Sequence, residues 1–231
     1  MYPAFGLMLF HMDNPKPSRA GFVLAGGKSS RMGANVDKVF LEFRGRTLLD
    51  RALDTARAVC AVVSIVGDPA KFAHYLTAEH AESKDADSQA PTAVPDIFPN
   101  CGPLGGIHAA LAQSSAEQNL MLAVDMPLVP KELLEFLFKT AEANESIVTV
   151  PRVGKGLQPL CAIYRRQFAA AAEIALREGK YKIDAVFGGV SIRVIEAGEL
   201  SDAGFTEEIF FNVNTPHDRL MAEQVCKVPK R

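Results

Sequence analysis

The sequence predicts a single α/β domain, a three-layer α/β/α sandwich around a mostly parallel, Rossmann-like sheet. Short apolar runs at 20–25, 61–66 and 119–124 suit parallel strands buried on both faces. Stretches of helical periodicity separate them, and Gly, Pro or Asp follows each run, where an α/β fold turns from strand to helix. With 231 residues, 48% of them hydrophobic and 23% charged, the chain has the composition of an ordinary globular domain with enough apolar volume for a core.

Residues 1–19 read as a mobile extension outside a domain that runs from 20 to 226. The apolar opening at 2–10 is far short of the roughly 20 residues a membrane span needs, and it lacks the basic lead of a secretory signal. The polar stretch 13–19 carries Pro15 and Pro17, and Met12 offers an alternative start. The first strand, 20–25, ends in a glycine-rich loop that runs to Asp37. Val39, Leu41 and Phe43 alternate with Phe40, Glu42 and Arg44, which predicts a brief extended segment closed by a turn at Gly45-Arg46. Thr47 is placed to cap a helix whose apolar stripe is Leu48, Leu49, Ala52, Leu53, Ala56 and Val59. A second strand at 61–66 stops at Gly67-Asp68-Pro69 and leads to a short helix near 71–78. From 79 to 93 the chain is small and polar without apolar period, a surface loop.

The turn-rich 99–106 opens a helix through Leu111, and the strand at 119–124 ends abruptly in Asp125-Met126-Pro127. A helix at 131–143, strands at 146–150 and 160–164, a helix at 167–177 and a strand at 191–195 follow. Asn212-Val213-Asn214-Thr215-Pro216 then leads into a final helix, with Thr215 as its cap and Pro216 at its first position.

Acidic residues outnumber basic ones by 27 to 25, so no global positive field exists to hold a nucleic-acid backbone. Neither nucleic acid nor membrane is an expected partner. Cys60, Cys101, Cys161 and Cys226 lie far apart with no Cys-x-x-Cys pair. That pattern signals no zinc site and no disulfide framework, and suits reduced thiols in the cytoplasm. Cys101, beside a Gly-Pro loop, reads as a packing thiol.

The loop Leu24-Ala25-Gly26-Gly27-Lys28-Ser29-Ser30-Arg31-Met32-Gly33 fits neither the P-loop register nor the dinucleotide fingerprint. What it offers is backbone N–H groups that can approach phosphate oxygens where no Cβ intervenes, with Arg31 and Lys38 to neutralise charge. Taken alone, a plain glycine-rich turn with solvated cations is the commoner origin of such a stretch. Asp125, at the carboxyl end of a strand, is where α/β folds place ligand chemistry; it is a Mg²⁺ ligand if the loop holds a triphosphate, and otherwise a turn former. Asp96 divides evenly between contacting ribose, base or metal-bound water and forming a turn. Asp37 adjoins Lys38 and can orient it. The segment 155–159, with Gln158 and Pro159, is either a hairpin turn or an acceptor-binding edge. Asn212 and Asn214 precede a helix N-terminus, where they can hold an acceptor phosphate or serve as caps. His108 and His217 have no nucleophile partner in the pattern and read as packing or surface residues.

In this order, Leu24-Ala25-Gly26-Gly27-x-Ser29-x-Arg31-Met32-Gly33, Asp37-Lys38, Gly102-Pro103-Leu104-x-Gly106, Asp125-Met126-Pro127, Gln158-Pro159 and Asn212-x-Asn214-Thr215-Pro216 resemble the molybdenum cofactor guanylyltransferase family. That family lies within the nucleotidyltransferases that share the nucleotide-diphospho-sugar transferase fold, and the likeness runs from about Ala20 to Gln224. It implies that Leu24, Ala25, Gly26, Gly27, Lys38 and Asp96 contact a guanine nucleotide, that Asp125 holds Mg²⁺, and that GMP passes from GTP to molybdopterin. A molybdoenzyme or cofactor-insertion protein would then receive the product.

Two departures stand out. Ala-Asn-Val between Gly33 and Asp37 is longer than the family spacing by a residue or two, and Gly67 stands where some relatives carry a polar, base-contacting residue. The nearest rivals are a cytidylyltransferase for the same pterin or for a sugar or polyol phosphate, commonly with Leu-Ala-Ala-Gly where this chain has Leu-Ala-Gly-Gly. A nucleotide-binding module without turnover is the alternative from another class.

Overall fold

The computed structural model describes residues 18–26, 37–76 and 91–225. The readings made for 1–17, for Gly27 and Arg31 in the loop, for most of 79–93 and for Cys226 lie outside them. Among the described residues the central sheet is assembled from β1 (Arg19–Leu24), β4 (Val62–Val66), β5 (Thr92–Val94), β6 (Gln118–Ala123), β7 (Val148–Val153), β9 (Cys161–Arg165) and β10 (Ile192–Ile195), in the order β10-β7-β9-β6-β1-β4-β5. All neighbours are parallel except β9, which runs antiparallel to β6 and β7. The short β8 (Gly156–Leu157) folds back on β7, so the predicted turn at 155–159 is part of a hairpin.

The apolar runs behave as parallel strands covered on both sides. Along β1, Val23 faces one core while Ala20 and Phe22 face the other; along β6, Leu120 and Leu122 oppose Met121. One face is covered by α1 (Leu48–Arg57), α3 (Lys131–Glu142), α6 (Ala197–Asp202) and α7 (Pro216–Val225). The other is covered by α2 (Gly102–Gln113), α4 (Phe168–Arg177) and α5 (Asp184–Phe187). Helix α1 starts where the sequence places it: Thr47 Oγ1 accepts from Asp50 N at 3.0 Å, and Asp50 Oδ2 accepts from Thr47 N at 3.3 Å, a reciprocal capping box. Buried Leu48, Leu49, Ala52, Leu53 and Ala56 then form its inner stripe. No described helix is long and apolar enough to cross a membrane.

Two expectations need correction. Residues 38–40 form a 3₁₀ turn instead of an extended run, because Asp37 Oδ1 accepts from Val39 N at 3.3 Å and Phe40 N bonds the Asp37 carbonyl at 3.1 Å. Within the expected segment only 42–43 pair as a strand, β2 (Glu42–Phe43) of a hairpin with β3 (Arg46–Thr47). Second, 92–94 belong to the sheet and not to a loop. Val94 is buried, and Thr92 Oγ1 meets Ser64 Oγ at 2.7 Å across the β4–β5 pair. Three residues are too few to show a period.

Candidate active site

Parallel strands deliver their carboxyl ends to one edge of a sheet, and the two segments read as acceptor-side join them there. At that edge lie Leu24 at the end of β1 with Ala25 and Gly26 beyond it, Gly67 after β4, Asp96 after β5 and Asp125 after β6. Because β9 runs the other way, the residues before it, Gln158 and Pro159, arrive at the same edge: Ala123 N donates to the Leu160 carbonyl at 2.7 Å. Pro159 is held from below by the buried Tyr164, whose hydroxyl donates to its carbonyl at 2.8 Å. Gln158 N bonds the Pro151 carbonyl at 2.8 Å, so this corner is fixed on both sides.

Three predicted residues converge. Lys38 Nζ donates to Asp125 Oδ2 at 2.7 Å and to Asn214 Oδ1 at 3.3 Å. The pair is mostly shielded, with side chains 24% and 15% exposed, so its charges interact more strongly than a surface pair would. Each partner is rigidly mounted. The Asp125 carbonyl accepts from Val213 N at 2.8 Å, which ties the end of β6 to the segment before α7. Asn214 N donates to Asp218 Oδ2 at 2.9 Å, and Asp218 N donates to Thr215 Oγ1 at 3.1 Å, so the first turn of α7 aims Asn214. The Asn214 N–H bond also holds the Asp218 carboxyl below its ordinary range. Asn212 is not brought in; it is exposed, and its amide turns back to the Phe210 carbonyl at 3.4 Å.

Asp96 faces the first half of α2. A Cβ at Gly106 would stand 3.0 Å from Leu24 Cδ2 and 4.0 Å from Asp96 Oδ1, so the glycine lets helix, loop and carboxylate share one corner. Partial withdrawal from water raises the Asp96 carboxyl above its ordinary value. Gly67 answers one of the departures noted above. Its φ is +151° and a Cβ would come within 2.9 Å of the Phe72 ring, so this chain presents backbone, not a side chain, at that position. Gly67→Ala is therefore expected to lower the unfolding free energy by about 1–3 kcal/mol, measured by urea denaturation; an unchanged midpoint would show that Phe72 yields without cost.

His108 packs, as its pattern indicates: it is buried edge-on against Phe98 with centroids 5.1 Å apart, and burial lowers its pKa. Burial pushes the Cys60 and Cys161 thiols up to about 12, which leaves them unreactive. One residue that the sequence reading passed over is Lys71. Its Nζ meets Asp37 Oδ2 at 2.5 Å and donates to the Ala25 carbonyl at 3.4 Å. Only its charge marks it in the sequence, and a lone lysine in a turn carries no pattern.

Residues 21–190 match the model of the MobA-like NTP transferase domain family. A protein of Pelotomaculum thermopropionicum named probable molybdenum cofactor guanylyltransferase is 34% identical over 207 residues, 88% of this chain and 93% of that protein. The molybdenum cofactor guanylyltransferase of Desulfosudis oleivorans is 30% identical over 208 residues, 90% and 95% of the two chains. The crystal structure of molybdopterin-guanine dinucleotide biosynthesis protein A from Archaeoglobus fulgidus aligns with a TM-score of 0.71 at 27% identity, covering 90% of this chain and 98% of that one. With the strand-edge cluster in place and relatives matched along nearly their whole length, the chain belongs to the MobA-like NTP transferases, as a nucleotidyltransferase of the molybdenum cofactor guanylyltransferase family.

Proposed function

We propose that the chain transfers GMP from GTP to the terminal phosphate of molybdopterin. The observation that carries this reading is the meeting of Lys38, Asp125 and Asn214 at the strand edge that also presents Leu24, Ala25, Gly26 and Asp96. A phosphate oxygen of the acceptor attacks the α-phosphorus of GTP in line. The bond from that phosphorus to the bridging oxygen breaks, and pyrophosphate leaves with the electron pair. No protein nucleophile is needed; the chain supplies position and charge.

The family resemblance implies the roles, and position at this strand edge supports them for the described residues; Gly27 and Arg31 enter on the resemblance alone. The backbone of Leu24, Ala25, Gly26 and Gly27, with Gly67 beside it, receives the nucleotide, and Asp96 binds its ribose or base. Lys38, with Arg31, stabilises charge on the α-phosphate and leaving group. Gln158, Pro159 and Asn214 line the acceptor side, and Asn212 serves the turn.

Asp125 is the residue that would hold a divalent cation. Its Oδ2 is engaged by Lys38, and among the described residues no bond is made by Oδ1. No group of three or more His, Cys, Asp or Glu among the described residues forms a dedicated cage. That donor set suits Mg²⁺, which takes one or two carboxylates and completes its shell with phosphate oxygens and water. When bound, the cation supplies positive charge to the phosphate oxygens.

The test is pyrophosphate release by the purified protein with molybdopterin, Mg²⁺ and each of the four nucleoside triphosphates. GTP is the expected donor. A preference for CTP would refute the guanine assignment, and GTP binding without turnover would leave a binding module. Gly26→Ala should fold as the parent does, since among the described residues the added Cβ meets only the Val66 carbonyl, at 3.9 Å. Its GTP-over-CTP ratio of kcat/KM should fall by roughly tenfold, the scale of one methyl group in a pocket. An unchanged ratio would remove Gly26 from base selection.

A further inference from the structure

We propose that Lys71 is a positioning residue for nucleotidyl transfer, holding the turn that presents Lys38 against the end of β1; this rests on the transfer reaction proposed above. Lys71 rises from a tight turn. Ala70 N donates to Asp68 Oδ1 at 3.0 Å, Lys71 N to the Asp68 carbonyl at 3.1 Å and Phe72 N to the Pro69 carbonyl at 3.2 Å. The adjoining Phe72 is fully buried, and the Lys71 ammonium lies 5.1 Å from its ring centroid. The turn thus fixes the backbone from which the lysine rises, and its ammonium lies by the Phe72 ring.

Its ammonium spans two elements. On one side is the Ala25 carbonyl, one residue beyond β1, at 3.4 Å; on the other is Asp37 Oδ2 at 2.5 Å. Asp37 does two things at once: Oδ2 takes the lysine, and Oδ1 caps the 3₁₀ turn through Val39 N. The next residue in that turn is Lys38, whose Nζ reaches Asp125 and Asn214. A line of partners therefore runs from the β4–β5 connection to the proposed catalytic cation. With side chains 22% and 33% exposed, the Lys71–Asp37 pair is shielded enough to fix geometry rather than merely decorate a surface.

Lys38 acts on charge that develops in the transition state, and Lys71 sets where Lys38 starts. A shift on the order of 1 Å at a reacting centre can cost up to about a hundredfold, so a loosened mount should show in kcat before it shows in binding. The experiment is steady-state pyrophosphate release by the full chain with molybdopterin, Mg²⁺ and the triphosphate that the parent protein turns over best. Lys71→Met should lower kcat about tenfold with the nucleotide KM changed less than about threefold.

Lys71→Arg should recover most of the rate, because a guanidinium can still bridge the carboxylate and the carbonyl. Asp37→Asn should reproduce the loss, and Lys71→Met with Asp37→Asn should be no more than about twofold slower than the slower single variant, as for residues acting through one contact. The proposal is overturned if Lys71→Met stays within about twofold of the parent, if arginine rescues nothing, or if the two losses multiply. Each rate is read relative to the parent with the same nucleotide. A preference for CTP would therefore refute guanine selection while leaving the Lys71 comparison decisive.

Discussion

Asp125→Asn is expected to lower kcat/KM for GTP by at least about a thousandfold, or ~4 kcal/mol of transition-state stabilisation, while the protein stays folded. The asparagine keeps the shape of the side chain and removes its charge. Two functions are lost together under the proposed roles: the protein's carboxylate for the divalent cation, and the anion that orients Lys38 Nζ from 2.7 Å. The fold is spared because the backbone at this position carries the structural load. The Asp125 carbonyl still accepts from Val213 N, and Val124 N still reaches the Leu24 carbonyl at 3.2 Å. The pair is largely shielded but the asparagine oxygen can still accept from Lys38 Nζ, so the loss should be about 1–2 kcal/mol and the melting temperature should fall by roughly 2–8 °C. Pyrophosphate release across a Mg²⁺ series checks the cause: a variant impaired in holding the cation should regain part of its rate at high Mg²⁺. Activity within about tenfold of the parent at every Mg²⁺ concentration would take Asp125 out of the catalytic machinery.

Most of the sheet was legible because burial on both faces writes itself as an apolar run, and α1 was legible because a cap and a stripe coincide at Thr47 to Ala56. The cluster itself was half legible. Lys38, Asp125 and Asn214 were each singled out, but their convergence depends on β1 and β6 being neighbours and on Val213 docking at the end of β6. No local pattern encodes those tertiary facts. Gly67 shows the opposite limit. Its identity suggested a lost side-chain contact, whereas the reason for the glycine lies five residues on, in the volume of Phe72. Residues 92–94 and the 3₁₀ turn at 38–40 escaped because each spans only three residues, too few for either the strand period of 2 or the helical period of 3.6 to recur.

Lys38→Ala should lower kcat/KM by about a hundred- to a thousandfold, the scale on which a single preorganised charge or donor acts on a developing anion. A second effect with the opposite sign separates this role from a scaffolding one. In the nucleotide-free protein the Lys38 ammonium sits against the carboxylate that would receive the cation, so it opposes metal binding there. At an effective dielectric near 20, unit charges about 4 Å apart interact by about 4 kcal/mol, an upper scale that solvent around a 24% exposed side chain reduces. Titration of nucleotide-free Lys38→Ala with Mn²⁺ should therefore show tighter binding than the parent, by several-fold or more, even as turnover collapses.

Lys38→Arg keeps the charge, yet its planar fork cannot occupy the single point between Asp125 Oδ2 and Asn214 Oδ1; only a minor part of the rate should return. If Lys38→Ala lost metal affinity and turnover together, the lysine would be holding Asp125 in shape. Its proposed action on the phosphates would then fail, whichever nucleotide the enzyme prefers.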